Sequence, residues 1–276
     1  MAQKEKKYLS TSKHYLSQKF WRFLRHIIPL KLWNALYAKR QKLILNDLKK
    51  QLEDTLLKVR KIDSINLNQS STSKFKDTIV NRSDNLLLEI NELKTLFNSF
   101  ESDKAILHNY NYLYAALFSN FKNNTNDVLE VGTYKGASLK SWKAYFAKSK
   151  IYGIDIDPDT VFEEDRIKTM IADQNSLDSL SIVNSLWKQK YDVIIDDGWH
   201  QPEASVYTMI AFILELKPKG IYVLEDIDQE RYRKFYGELA VIFSKYGYYS
   251  EYIDLPKIVP PTNSGYNYGV LVIENI

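Results

Sequence analysis

The segment Val128-Leu-Glu-Val-Gly-Thr-Tyr-Lys-Gly-Ala-Ser138 carries the clearest structural signal in the chain. It predicts a short buried strand, a tight turn containing Gly132 and Gly136, and the start of a helix. In an open α/β sheet, ligands bind at the carboxyl ends of the strands, and glycine lets the backbone approach them closely. The spacing differs from the G-x-G-x-x-G of dinucleotide-binding proteins, which argues against NAD as the ligand.

Outward from this stretch, apolar runs alternate with helical stretches. The runs lie at 128–131, 151–156, 169–171, 191–195 and 221–224, and helices are predicted at 136–147, 176–188, 202–216 and 230–246. This alternation is typical of a doubly wound, mostly parallel sheet. Two last runs, 248–254 and 268–274, follow one another without a helix and predict an antiparallel pair at the sheet edge. Residues 126–276 are therefore predicted to form a Rossmann-like α/β domain.

Three further segments precede this domain, and together they predict a helical N-terminal extension. Residues 1–65 form a basic arm with a helical stripe of leucines, residues 66–83 are polar and predict a linker, and residues 84–125 predict a helical segment. In that segment the apolar residues follow a near-heptad rhythm, namely Leu86, Ile90, Leu93, Phe97 and Phe100. Such a stripe indicates packing on a partner helix or self-association into a homo-oligomer.

Charge is distributed unevenly along the chain. Residues 1–60 hold 15 of the 38 Lys and Arg but only 4 of the 34 Asp and Glu, so they carry a net +11 and the remainder a net −7. The acidic remainder argues against nucleic acid as a partner, because phosphate contacts need basic grooves. The chain has no cysteine, which excludes disulfides, thiolate catalysis and cysteine-bound zinc.

The basic arm has two interpretations. The stretch Lys19-Phe-Trp-Arg-Phe-Leu-Arg-His-Ile-Ile-Pro-Leu-Lys-Leu-Trp33 mixes aromatic, aliphatic and basic residues, as does a helix lying on anionic lipid. The alternative is a helix packed on the main domain with its basic groups in water. With no visible signal peptide or spanning segment, we expect a cytoplasmic protein, with peripheral contact of residues 19–40 at the inner face of the membrane as the first alternative.

Acids also end the next two strands of the domain. Ile151-Tyr-Gly-Ile-Asp155 ends in an acid about twenty residues after the glycine turn, where a carboxylate accepts hydrogen bonds from ribose hydroxyls. Met170-Ile-Ala-Asp-Gln-Asn-Ser176 places Asp173 at the end of the third strand, near the expected adenine. Either acid alone is an ordinary turn residue. The ordered set that includes Glu130 and both glycines favours a nucleoside-containing cofactor.

Four motifs in this domain resemble those of a known family. They are Glu130-Val-Gly-Thr-Tyr-Lys-Gly136, Ile154-Asp-Ile-Asp-Pro158, Ile194-Ile-Asp-Asp-Gly-Trp-His200 and Leu216-Lys-Pro-Lys-Gly-Ile-Tyr-Val-Leu-Glu-Asp226. The chain thus resembles the metal-dependent sugar O-methyltransferases, which have the class I S-adenosylmethionine-dependent fold and include the macrolide-sugar methyltransferases and the cephalosporin hydroxylase-like proteins. The resemblance covers residues 105–276 and does not reach the N-terminal arm.

The resemblance implies two ligands. S-adenosyl-L-methionine is expected at Glu130, Gly132, Thr133, Tyr134, Gly136, Asp155 and Asp173, with Asp196 on its methionine side. In the family the residues matching Asp197, Glu225 and Asp226 hold the metal, and Mg²⁺ suits such an all-oxygen set.

The histidine matching His200 is the family's proposed base, so His200 and Asp197 are the predicted catalytic residues. A sugar hydroxyl is a poor nucleophile and needs a base, a metal or both. The alternative is that His200 is an ordinary turn residue and that the acids merely solvate loops. His14, His26 and His108 lack partners at ligand spacing and are interpreted as incidental.

Two positions depart from the family pattern. Trp199 stands where the family usually has Ser, and Ala137 replaces a frequent second glycine. Neither change removes an expected ligand, and the indole of Trp199 is suited to stacking on a sugar face.

The sequence thus predicts an O-methyltransferase acting on a sugar hydroxyl of a small molecule or glycan. Two alternatives remain open: an O-methyltransferase of a non-sugar small molecule, and a cofactor-binding scaffold protein without turnover. The acceptor and the methylated position are not encoded in these motifs.

Overall fold

The computed structural model describes residues 29–59, 74–81, 83–125, 127–261 and 268–276. The α-helices in these ranges are α1 Leu30–Val59, α2 Lys74–Val80, α3 Asp84–Ser99, α4 Tyr110–Phe118, α5 Ala137–Tyr145, α6 Leu177–Trp187, α7 Pro202–Phe212 and α8 Gln229–Lys245. The strands are β1 Asp127–Val131, β2 Lys150–Asp155, β3 Glu163–Glu164, β4 Ile167–Ile171, β5 Tyr191–Asp196, β6 Leu216–Asp228, β7 Tyr249–Ile253 and β8 Tyr268–Glu274. The chain divides into two compact units, residues 1–47 and residues 48–276.

The strands form one sheet in the order β3-β4-β2-β1-β5-β6-β8-β7. The five central strands, from β4 to β6, run parallel, whereas β8 pairs antiparallel with both β6 and β7. Parallel strands are buried on both faces, which explains their continuous runs of Val and Ile. The predicted doubly wound α/β fold and its antiparallel edge pair are both confirmed.

The stripe on α3 is covered by other helices of the same chain. Ser83 caps the helix by accepting a hydrogen bond from the amide of Leu86. Leu93 and Phe97 are fully buried, and α3 packs on α4 and α5. Phe97 meets the ring of Trp142 edge-on, with 5.1 Å between ring centroids. The partner-helix interpretation of the stripe therefore applies within one chain, and self-association stays a prediction.

Residues 74–80 correct the prediction of a linker over 66–83, because they form the helix α2. Phe75 and Ile79, one turn apart, are both buried, and the Lys74 amide donates to the Tyr249 hydroxyl at 2.9 Å. A seven-residue helix has little stability of its own, so tertiary contacts of this kind hold it. Sequence periodicity over so few residues does not reveal it.

The helix predicted within the basic arm is confirmed for 30–59. In the unit of residues 1–47, Trp33 and Tyr37 stack with 5.9 Å between ring centroids. In the unit of residues 48–276, Leu48, Leu52 and Leu56 are buried, as their spacing predicts. Residues 19–28 of the proposed lipid-binding stretch lie outside the described residues. Within the described ranges, no helix has the length and apolar character needed to cross a bilayer.

Candidate active site

The glycine turn after β1 lies directly against the end of β5. Gly132 has a φ of 87°, and a Cβ there would stand 2.1 Å from the backbone oxygen of Asp197. Asp155 Oδ2 accepts hydrogen bonds from the amides of Thr133 and Tyr134, both at 2.9 Å. The carboxylate at the end of β2 therefore fixes the turn, while Gly132 permits the close approach of the two strands.

A cavity of about 760 Å³ opens at this edge of the sheet. Its volume lies in the ~300–1,000 Å³ range typical of small-molecule and cofactor sites. Six of the predicted site residues line it, namely Gly132, Thr133, Tyr134, Asp155, Asp173 and Asp197. Trp199 also lines the cavity and is 65% exposed, so its indole borders the opening to solvent.

Three of the predicted cofactor residues lie behind the cavity wall. Glu130 is buried and accepts a hydrogen bond from the Ser138 hydroxyl at 2.7 Å. Gly136, with a φ of 77°, packs so closely on Phe162 that a Cβ would stand 2.5 Å from its ring. Asp196 is buried too, which raises the pKa of its carboxyl to about 6. These three residues support the walls of the cavity from behind.

Gln174 links the ends of β4 and β5 and was missed in the sequence. Its side-chain amide donates to Asp196 Oδ1 at 2.6 Å and to Thr208 Oγ1 at 2.8 Å. Its oxygen accepts from the amide of Trp199 at 2.7 Å. Gln174 follows Asp173 in the motif Met170-Ile-Ala-Asp-Gln-Asn-Ser176, and its place at a strand end was the available signal.

The three predicted metal ligands meet at the carboxyl ends of β5 and β6, and a lysine lies between two of them. Lys104 Nζ is 2.7 Å from Asp197 Oδ2, and 2.9 and 2.7 Å from the two carboxylate oxygens of Glu225. It also lies 3.4 Å from Glu130 Oε1. Burial alone lowers the pKa of Lys104, but Asp197, Glu225 and Glu130 together raise it well above its usual value. Lys104 is therefore a buried ammonium.

Two tyrosines of α4 complete this cluster. The Tyr114 hydroxyl donates to Glu225 Oε1, and the Tyr110 hydroxyl donates to Asp226 Oδ1. Tyr110 in turn accepts from the Asp226 amide at 3.1 Å. Both oxygens of Glu225 are thus bonded to Lys104 and one also to Tyr114, which leaves Asp226 as the more accessible carboxylate of the pair.

His200 faces the carboxylates of Asp197 and Asp226 across a gap. Its Nε2 lies 3.8 Å from Asp197 Oδ1 and 3.8 Å from Asp226 Oδ2, too far for hydrogen bonds. One ligand atom from each of these three residues lies within 4.8 Å of the others, a spacing that fits a divalent cation. Glu225 is not part of this group, and its oxygens are bonded to Lys104 and Tyr114. The group therefore differs from the predicted carboxylate trio by exchanging Glu225 for His200.

His108 belongs to the site, which corrects its interpretation as incidental. Its Nδ1 is 3.4 Å from Asp226 Oδ1, and its ring stacks on those of Tyr110 and Tyr268 with centroid separations of 5.2 and 5.9 Å. Asp226 thus lies between His108 and His200. No local spacing in the sequence signals this contact. His14 and His26 lie outside the described residues.

Some residues at the site have strained backbone conformations. Tyr134, His200 and Asp226 have φ values of 43°, 53° and 52°, in the left-handed region that non-glycine residues rarely adopt. Each such residue costs about 1–3 kcal/mol and persists only where its surroundings enforce it. The three residues border the cavity or the acid cluster.

The acid cluster holds more negative than positive charge. Three carboxylates, those of Glu130, Asp197 and Glu225, contact the ammonium of Lys104, and Asp226 adds a fourth acid that interacts with Glu225. Burial, followed by repulsion from Asp197, raises the pKa of both Glu225 and Asp226. Burial also raises the pKa of Glu130 to about 7. The cluster therefore favours any added cation or proton.

No protein-family model matches the chain. It is 32% identical over 144 residues to 8-demethyl-8-alpha-L-rhamnosyl tetracenomycin-C 2'-O-methyltransferase of Streptomyces olivaceus, covering 49% of this chain and 38% of the relative. It is 34% identical over 128 residues to demethylmacrocin O-methyltransferase of Streptomyces fradiae, covering 44% and 32%. It is 33% identical over 147 residues to mycinamicin VI 2''-O-methyltransferase of Micromonospora griseorubida, covering 50% and 36%. The matches thus span less than two fifths of each relative's length.

Among solved structures, the chain is similar to a MycE methyltransferase from the mycinamycin biosynthetic pathway in complex with Mg and SAH. The match has a TM-score of 0.52 and 26% sequence identity, and it covers 67% of this chain and 54% of that one. In fold, and in sequence over about half its length, the chain is similar to the class I S-adenosylmethionine-dependent sugar O-methyltransferases, which confirms the resemblance carried by its four motifs.

Proposed function

We propose that the chain is an S-adenosylmethionine-dependent O-methyltransferase that acts on a sugar hydroxyl with the help of Mg²⁺. One observation carries the proposal: the candidate base His200 and the carboxylates of Asp197 and Asp226 converge beside a cavity at the carboxyl ends of the sheet. Asp197 lines the cavity and also belongs to the convergent group. It thus connects the place for the methyl donor with the place for the acceptor.

The residues divide the chemistry between them. Asp155 and the glycine turn bound the nucleoside side of the cavity, and Trp199 borders the solvent side. When bound in this cavity, S-adenosylmethionine would supply the methyl group to the acceptor oxygen and would leave as SAH. His200 Nε2 takes the hydroxyl proton, and the carboxylates of Asp197 and Asp226 stabilise the resulting imidazolium. When bound, Mg²⁺ would be held by Asp197 and Asp226 and would lower the pKa of the acceptor hydroxyl.

The relatives support the sugar as acceptor. Their names specify methylation of a rhamnosyl group, and of demethylmacrocin and mycinamicin VI. The structural match contains Mg and SAH, the product that S-adenosylmethionine leaves after methyl transfer. Two aromatic residues that line the cavity, Tyr134 and Trp199, are largely exposed, and such rings suit the apolar face of a sugar.

Calorimetry tests the two binding steps separately. The wild type is titrated with S-adenosylmethionine and, separately, with Mg²⁺, beside a triple variant Asp197→Ala/Glu225→Ala/Asp226→Ala. We expect the wild type to bind both ligands and the variant to keep the cofactor but lose the metal. A wild type that binds cofactor without any effect of Mg²⁺ on methyl transfer would contradict the metal's role. A wild type that binds neither ligand would reject the proposal as a whole.

The acceptor is tested next, with the donor saturating. Deoxysugar glycosides and catechols are offered in parallel, and methyl transfer is followed by the release of SAH. Transfer to the glycosides alone supports the proposal, whereas transfer to catechols alone favours the non-sugar alternative. Cofactor binding without transfer to any hydroxyl compound in cell extract favours the scaffold alternative.

A further inference from the structure

Lys104 makes the contacts that a metal ion would make. Its side chain is 2% exposed, and its ammonium lies 2.7 Å from Asp197 Oδ2 and 2.7 Å from Glu225 Oε2. These are two of the three carboxylates in the predicted metal trio. Mg²⁺ binds oxygen at about 2.0–2.1 Å and needs the same lone pairs. The ammonium and a metal therefore cannot use these oxygens together.

A second side of the acid cluster faces His200 and not Lys104. Asp197 Oδ1 and Asp226 Oδ2 both face His200 Nε2, on the side away from the lysine contacts. A cation entering from this side meets one oxygen of Asp197 that is not shared with Lys104. It also meets the positive charge of Lys104 across the same carboxylate. Because like charges repel most strongly where water is excluded, this charge opposes metal binding.

Lys104 also has a further acid close to its ammonium. It lies between α3 and α4 and lines the cavity, with Glu130 Oε1 at 3.4 Å as a further partner. A lysine side chain is a point charge on a flexible four-carbon stem with three donors, so it exchanges partners readily. Movement of Nζ toward Glu130 would release Asp197 without leaving the ammonium unpaired.

We propose that Lys104 is a built-in counter-cation that competes with the divalent metal for the carboxylate of Asp197 and thereby sets the metal affinity. Without metal, it holds the buried carboxylates together. When metal enters, the ammonium retreats toward Glu130. This inference rests on the metal's role in the proposed function, and it adds a residue that controls metal binding.

The test measures metal binding alone. Mn²⁺ is titrated into the full chain without cofactor or acceptor, and free Mn²⁺ is followed by electron paramagnetic resonance. Lys104→Met keeps the length of the stem and removes the charge. Lys217→Met is the matched control, because Lys217 Nζ also lies between two carboxylates, 2.9 Å from Asp127 and 3.0 Å from Asp192. Mg²⁺ added in competition shows whether both metals use the same site.

We expect Lys104→Met to bind Mn²⁺ at least about tenfold more tightly than the wild type, because a buried charge next to the ligands has been removed. Lys217→Met should match the wild type. Unchanged or weaker binding in Lys104→Met would overturn the inference, as would equal tightening in both variants. A chain that binds metal as expected but transfers no methyl group would reject the proposed function and leave this inference intact.

A second variant covers the case in which Lys104→Met does not fold. Lys104→Met/Glu225→Gln removes a buried ion pair as a unit, which proteins tolerate better than the loss of one partner. If Lys104 competes with the metal, its removal offsets the loss of Glu225, and the double variant binds Mn²⁺ at least as well as the wild type. If Glu225 is a ligand and Lys104 a bystander, the double variant binds less tightly, which would contradict the inference.

Discussion

The two ends of the parallel strands carry the same arrangement with a different balance of charge. At the amino ends, Lys217 Nζ lies 2.9 Å from Asp127 Oδ2 and 3.0 Å from Asp192 Oδ2. At the carboxyl ends, Lys104 Nζ lies 2.7 Å from carboxylate oxygens of Asp197 and Glu225. In both places an ammonium bridges acids on or beside neighbouring strands.

Burial and charge distinguish the two ends. The side chain of Lys217 is 27% exposed, whereas that of Lys104 is 2% exposed. The amino-end cluster has two acids for one ammonium and opens to water. The carboxyl-end cluster adds Glu130 and Asp226 to its acids and lies next to backbone in the left-handed region at His200. The first cluster is partly exposed to water, whereas the second is buried and has more acidic than basic groups, as sites of chemistry often do.

The largest effect is expected from His200→Gln, which removes the proposed base at the carboxyl end. Methyl transfer should fall by about 10²–10⁴ in kcat, the usual contribution of a positioned base. The affinity for S-adenosylmethionine should not change, because His200 is not among the residues that line the cavity. Single-turnover rates and calorimetry on the same preparation separate the two effects. An unchanged kcat would assign the proton to another group, with His108 beside Asp226 as the next candidate.

A pair of glycine substitutions compares the two ends directly. A Cβ at Gly132 would stand 2.1 Å from the Asp197 backbone oxygen, at a φ that also disfavours alanine. At the amino end, a Cβ at Gly220 would stand 2.9 Å from the Lys217 backbone oxygen. We expect Gly132→Ala to abolish measurable cofactor binding, and Gly220→Ala to lower thermal stability while keeping cofactor affinity. Equal loss of affinity in both variants would show that general destabilisation is the cause.

The buried carboxyl of Glu130 makes stability depend on pH. Its pKa is raised by burial from 4.5 to about 7, so the folded chain binds a proton that the unfolded chain has released at intermediate pH. Protonation of Glu130 therefore stabilises the fold fully below pH 4.5. This contribution to the free energy of unfolding, up to about 3 kcal/mol, is lost as the pH rises toward 7. Glu130→Gln should therefore unfold at a higher denaturant concentration than the wild type at pH 8, with the difference shrinking at pH 5. A pH-independent difference would contradict the raised pKa.

The sequence predicted the sheet because its signals are local. Each parallel strand is a short apolar run with an acid or glycine at its end, and Asp155, Asp173 and Asp197 stand where those runs stop. Their side chains line one cavity because the carboxyl ends of parallel strands share an edge. The positions of these residues therefore follow from strand order alone.

The rest of the site depends on contacts between distant segments. Lys104 meets Asp197 and Glu225 at sequence separations of 93 and 121 residues. In the stretch Glu101-Ser-Asp-Lys104 it looks like any solvated lysine, and it stands just before the region of family resemblance. His108 and α2 were misread for the same reason. Periodicity reports which face a segment buries, but it does not report which partner covers it.

The smallest effect is expected at the amino end, from Lys217→Met. Partly exposed ion pairs contribute about 0–1 kcal/mol to stability, because water and salt screen the charges. The free energy of unfolding should therefore fall by no more than about 1 kcal/mol, and 0.5 M salt should remove much of the difference. Cofactor and metal affinities should stay at wild-type values, since Lys217 lies at the opposite end of the strands. A larger loss of stability that salt does not reduce would mean that the charges of the amino-end cluster are also buried. The two ends of the sheet would then differ only in the chemistry of their residues, and not in burial.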